Sequence, residues 1–163
     1  MSGHLYSPWR LEYILSAKSD TCPFCLKEDG STDEAHFVVY RTNLSFVILN
    51  LYPYNNGHIM VIPVRHTQDM DDLTDEEYTD LFGCVRKAER VLRAAYSPDG
   101  INIGMNLGKA AGAGIDSHLH VHLLPRWSSD SNFMTTVGGT RVIPEAFERT
   151  YHLLKNQFDS IEE

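Results

Sequence analysis

Long apolar runs, a surplus of basic residues and dense cysteine are all missing from this chain of 163 residues. No stretch approaches the roughly 18 to 20 apolar residues that span a bilayer. No charged-then-apolar segment of the secretory type opens it, so a soluble cytoplasmic protein is expected. Lys and Arg total 14 against 22 Asp and Glu, a formal net charge of −8. That shortage of cations argues against broad nucleic-acid binding, which draws on clustered Lys and Arg. It leaves room for a small anion held by backbone N–H groups and a few polar side chains. The three cysteines, Cys22, Cys25 and Cys84, are too few to form a disulfide framework. No repeat, low-complexity tract or linker divides the chain, so one domain over 1–163 is expected.

What is present is 42% hydrophobic residues, enough for a core, arranged in short segregated segments. Five read as strands from β-branched and aromatic content between turn residues: 37–41, 45–49, 58–63, 101–106 and 118–124. Thr42-Asn43 suits a hairpin between the first two. Thr74-Asp75-Glu76-Glu77 is a capping box. Tyr78, Leu81, Phe82, Val85, Val91, Leu92 and Ala95 then recur at helical spacing, which predicts a helix ending near Tyr96 with Cys84 in its packed face. A second helix is expected from Pro144, with Phe147, Tyr151 and Leu154 on its apolar face. Strands and helices do not alternate, so the fold class is α+β with an antiparallel sheet.

The chemistry concentrates in His118-Leu119-His120-Val121-His122-Leu123-Leu124. Side chains alternate along a strand, so three imidazoles share one face and three apolar residues the other. Such a face could be an exposed decoration or a three-histidine metal site. The segment feeding it, Asn106 to Ser117, is small and glycine-rich. Glycine lets backbone approach a ligand and turn N–H groups toward an anion. Such a loop leading into co-facial imidazoles describes a phosphate held against a nucleophile.

On these residues the chain resembles the histidine triad family, whose motif is His-x-His-x-His followed by two apolar residues. Trp9-Arg10-x-x-Tyr13, Cys22-x-x-Cys25, Asn50, Gly57-His58-x-x-Val61-Ile62-Pro63-x-x-His66 and the 106–126 block fall in family order. Trp127 through Asn132-Phe133 is similar to the branch of diadenosine tetraphosphate phosphorylases and related hydrolases. The resemblance implies a homodimer of five-stranded antiparallel sheets, each carrying one long and one C-terminal helix. It implies cleavage of a dinucleoside polyphosphate, with His120 as nucleophile, His122 at the leaving oxygen and His118 as the third triad member. It places phosphate on Asn106, Gly114 and Ser117, ribose on Asn50, and His58 on the active-site side. Phe46 and Leu49 on the neighbouring strand are expected at the base. Hydrolases of the family often carry Gln in the loop and phosphorylases Gly-Ser; this chain has Ala113-Gly114, so water and phosphate both stand as second-step acceptors. A nucleoside phosphoramidase, a non-catalytic nucleotide-binding module and a zinc hydrolase are the competing readings. A uridylyltransferase fits less well, because that branch replaces the third histidine with Gln.

Cys22-x-x-Cys25 alone is equally a pair of buried or redox-active thiols. The resemblance groups the pair with His66 and His118 as a closed tetrahedral zinc site, which would be structural. His4, His36 and His152 lie outside any motif and are expected on the surface or in ordinary packing.

Overall fold

The computed structural model of the chain describes residues 22–130, 137–138 and 145–161. The Trp9-Arg10-x-x-Tyr13 motif, Asn132-Phe133 and the expected helix start at Pro144 lie outside them.

The sheet has five strands: β1 Val38–Arg41, β2 Ser45–Leu49, β3 Ile59–Pro63, β4 Gly100–Gly104 and β5 Val121–Arg126. Their order is β1-β2-β3-β5-β4, and every neighbouring pair is antiparallel. The helices are α1 Asp75–Tyr96 and α2 Phe147–Ser160. The α+β fold with one long and one C-terminal helix is therefore the observed one. No helix among the described residues is long and apolar enough to cross a membrane.

Both helices cover one face of the sheet. Val39, Val47, Leu49, Ile59, Val61, Leu119, Val121 and Leu123 meet Leu81, Cys84, Val85, Val91 and Leu92 of α1 and Tyr151, Leu154 and Phe158 of α2. Each such aliphatic side chain removed from water contributes about 1.5–3 kcal/mol. The other face is covered in part from outside the sheet, where Phe24 packs on Val38, Phe46, Ile48, Met60 and Ile62. Cover on both faces explains why β2 and β3 are buried at every position and read as unbroken apolar runs rather than alternating ones. α1 starts at the capping box: the Glu77 amide donates to the Thr74 hydroxyl, and the Thr74 amide to the Glu77 carboxylate. It stops at Ser97, whose left-handed backbone (φ 43°) turns the chain toward β4.

Four strands start later or stop earlier than the sequence suggests, β3 by the single residue His58. β1 excludes Phe37, held at φ 59° with its ring edge-on to Phe147. β4 stops at Gly104, two residues short of Asn106. β5 begins at Val121, so His118, Leu119 and His120 precede the strand. The β3–β5 pairing ends at Val61↔Val121. Beyond it Pro63 has no N–H to give, its carbonyl accepts from the His118 ring, and the Leu119 amide donates to the Thr67 carbonyl instead. The alternation of faces survives this detour, since Leu119, Val121 and Leu123 all enter the helix-side core.

Candidate active site and metal centre

Backbone hydrogen bonds decide which ring nitrogen of each histidine carries its proton. His120 Nδ1 lies 2.8 Å from the His118 carbonyl oxygen. A carbonyl only accepts, so Nδ1 carries the proton and Nε2 keeps its lone pair. His118 Nε2 lies 2.9 Å from the Pro63 carbonyl, which leaves the lone pair of His118 on Nδ1. The Tyr54 amide donates to His58 Nδ1 at 3.1 Å. His58 therefore carries its proton on Nε2, which donates to His122 Nδ1 at 3.0 Å. The remaining nitrogen of His122, Nε2, is then an N–H donor. Three neutral imidazoles thus present a lone pair on His120, a donor on His122 and a ligand nitrogen on His118.

The rings form a packed series. His66 stands 4.9 Å from His118, Phe24 5.9 Å from His118 and 5.3 Å from His120, and His120 4.8 Å from His122. Tyr54 closes the far end at 4.9 Å from His58. Burial disfavours the charged imidazoles. It pushes His58 down to about 3, helped by His122 and His120. It pushes His122 down to about 4, helped by His120, and lowers His120 against the opposing pull of the His118 carbonyl. At neutral pH the triad is uncharged, as a nitrogen nucleophile must be.

Other predicted residues fall into place unevenly. Phe46 lies on the histidine face of β2, buried among Phe24, Ile48 and Met60. Leu49 lies in the core cluster beneath the helices and also lines a cavity of about 440 Å³ with Asn50, Gly57 and His58. Asn50 follows β2, its Oδ1 accepting from the Tyr52 amide and its Nδ2 lying 3.4 Å from the His58 ring. His58 is 2% exposed and donates to His122. Asn106, Gly114 and Ser117 lie in the loop between β4 and β5, with Asn106 half-buried and the other two exposed. Two contributors escape sequence reading, the Tyr54 amide and the Pro63 carbonyl, because backbone groups leave no residue-type signature. Phe24 was legible only as one of the two residues between Cys22 and Cys25.

The second cluster adjoins the first. Cys22, Cys25, His66 and His118 bring one donor atom each to within 4.8 Å of one another. Cys25 Sγ lies 3.2 Å from His66 Nδ1, and Cys22 Sγ 3.4 Å from His118 Nδ1. Donors about 2.0–2.3 Å from one tetrahedral zinc stand about 3.3–3.8 Å apart, so the set fits such an ion. Burial and the neighbouring Cys22 push the Cys25 thiol up, a resistance to ionising that a bound cation would relieve. Both cysteines are free thiols. His118 is already turned correctly, because the Pro63 carbonyl holds its other nitrogen.

Comparison with known proteins agrees with this geometry. A family model described as the HIT domain matches residues 31–129. An AP-4-A phosphorylase of Mycobacterium tuberculosis is 40% identical across 94% of this chain and 83% of its own length. An asymmetrical bis(5'-nucleosyl)-tetraphosphatase of Schizosaccharomyces pombe is 44% identical over 57% of this chain and 50% of its own length. A crystal structure of a zinc-bound histidine triad family protein from Mycobacterium smegmatis superposes with a TM-score of 0.67 at 29% identity. That match covers 85% of this chain and 94% of the other.

Proposed function

This chain belongs to the HIT domain family, and from that premise we propose that it cleaves diadenosine tetraphosphate or a close dinucleoside polyphosphate through a nucleotidyl-His120 intermediate. The observation that carries the reading is the fixed proton pattern: a free Nε2 on His120 beside an N–H donor on His122. The His120 lone pair attacks the α-phosphorus and forms a P–N bond. The bond to the bridging oxygen breaks, and its electron pair leaves with the second nucleotide. His122 donates a hydrogen bond to that oxygen as its charge grows. A nucleoside triphosphate departs as an anion, so His122 need not surrender its proton. Covalent catalysis then lets a second nucleophile enter where the first group left.

Asn106, Gly114 and Ser117 hold phosphate oxygens in this reading, Asn50 the ribose and Phe46 the base. His58 acts on His122 rather than on substrate, which makes it a positioning residue. Cys22, Cys25, His66 and His118 hold zinc. A bound zinc supplies no step; it ties the segment carrying Phe24 to the residues just ahead of β5. Phosphate as the second nucleophile is supported by the phosphorylase relative, which aligns with 94% of the chain. A homodimer is supported by β4, an edge strand with Ile103 half exposed, because an open edge invites pairing with a second copy. We assign the protein to the cytoplasm, where Cys22 and Cys25 stay reduced.

The test is incubation with diadenosine tetraphosphate, with and without phosphate. ADP with ATP, formed only when phosphate is present, is the expected result. AMP with ATP would make the protein a hydrolase, and no cleavage would overturn the reading.

A further inference from the structure

The loop between β4 and β5 is tied to the triad at both ends. It leaves β4 after Gly104, whose partner across the sheet is His122, and it returns at Ser117, beside His118. Within it Ile115 packs against the cluster containing Phe24, whose ring stands 5.3 Å from His120, so the loop runs along the histidine face of the sheet. Lys109 is the only Lys or Arg in residues 101–125, and it opens the short 3-10 turn Lys109–Ala111. Its neighbours Gly108, Ala110, Ala111 and Gly112 carry no bulk that would hold its side chain aside. That side chain is 85% exposed, and its Nζ lies 3.8 Å from Asp116, one residue before Ser117. An exposed pair this loose contributes little, so the ammonium can leave Asp116 for a stronger anion at little cost.

The electrostatic surroundings give it a task. The chain carries a net charge of −8, and the triad is neutral. In the reading above, Asn106, Gly114, Ser117 and the imidazoles hold the phosphate under attack. The phosphates beyond it bring further negative charge toward an acidic protein.

We propose that Lys109 is a specificity residue that reads phosphate-chain length: it exchanges Asp116 for the phosphates beyond the one attacked and so favours polyphosphate ligands over monophosphates. This rests on the reading that the substrate lies across the loop with its α-phosphorus at His120. Lys109 touches no reacting bond, so it acts on affinity and leaves the chemical step alone.

The experiment compares wild type with Lys109→Met and Lys109→Arg. It measures kcat and KM for diadenosine tetraphosphate and the inhibition constants of AMP and ATP. Loss of one exposed charge contact should raise KM and the ATP constant about tenfold in Lys109→Met. The AMP constant and kcat should stay within about twofold, and Lys109→Arg should restore tight binding of ATP. The slope of kcat/KM against ionic strength should flatten in Lys109→Met. An equal shift for AMP and ATP, or no shift for either, overturns the proposal. Wild-type turnover by His120→Asn, or no turnover by wild type, overturns the underlying reading instead.

Discussion

His58 Nε2 stands 3.0 Å from His122 Nδ1, and the proton between them belongs to His58, because the Tyr54 amide already occupies His58 Nδ1. Two side chains and one peptide group thereby fix a donor on the far side of His122. The arrangement separates the work of the histidines into parts that substitution can take apart.

In the proposed reaction His120→Asn removes the lone pair that attacks phosphorus. Turnover should fall at least about 10³-fold with nucleotide affinity little changed. Quenching wild type during turnover of a radiolabelled substrate should trap label on the peptide containing His120. Label on the His122 peptide would sink the assignment.

His122→Asn should slow turnover by about 10² to 10⁴-fold, the scale of one electrostatic partner. His58→Ala should fall in the same direction but less, by about 10 to 10²-fold, with KM unchanged. A change in KM alone for His58→Ala would show contact with substrate and contradict its role as a donor to His122.

Protein prepared without chelator should contain one zinc per chain by metal analysis. Cys22→Ser should lower unfolding stability by at least about 2 kcal/mol while slowing the chemical step less than about tenfold. A Cys22–Cys25 disulfide in the purified protein, or no zinc, would refute the site.

Stability should fall as pH drops from about 6.5 toward about 4. His58 is held down to about 3 and His122 to about 4, below the 6.5 of an unburied imidazole. The unfolded chain therefore binds protons first, and acid favours it across that window. Each histidine contributes a slope of up to about 1.4 kcal/mol per pH unit there. The Arg65–Glu77 pair, with Glu77 held at about 2, weakens only below 4.5. Thermal melts at pH 7.5, 6, 5 and 4 would measure this, and a flat Tm over that range would contradict it.

Much of this architecture was legible because short-range rules dominate it. The Thr74–Glu77 box sets the start of α1, and the alternation of Leu119, Val121 and Leu123 survives even where the strand does not. The errors have a common source in long-range backbone partners. Nothing near His118 announces that the carbonyl of Pro63, 55 residues earlier, will take its ring and bend the chain off the sheet. The metal quartet needed the resemblance to assemble it, because its members are scattered from Cys22 to His118.

His118 offers its imidazole to the metal cluster and its carbonyl to His120. Replacing it with alanine deletes the first contribution and leaves the second in place. A side-chain scan would then read position 118 only through its place in the Cys–His cluster and overlook its part in orienting His120. An ester in place of the amide joining residues 118 and 119 would do the reverse, weakening the acceptor while keeping the imidazole.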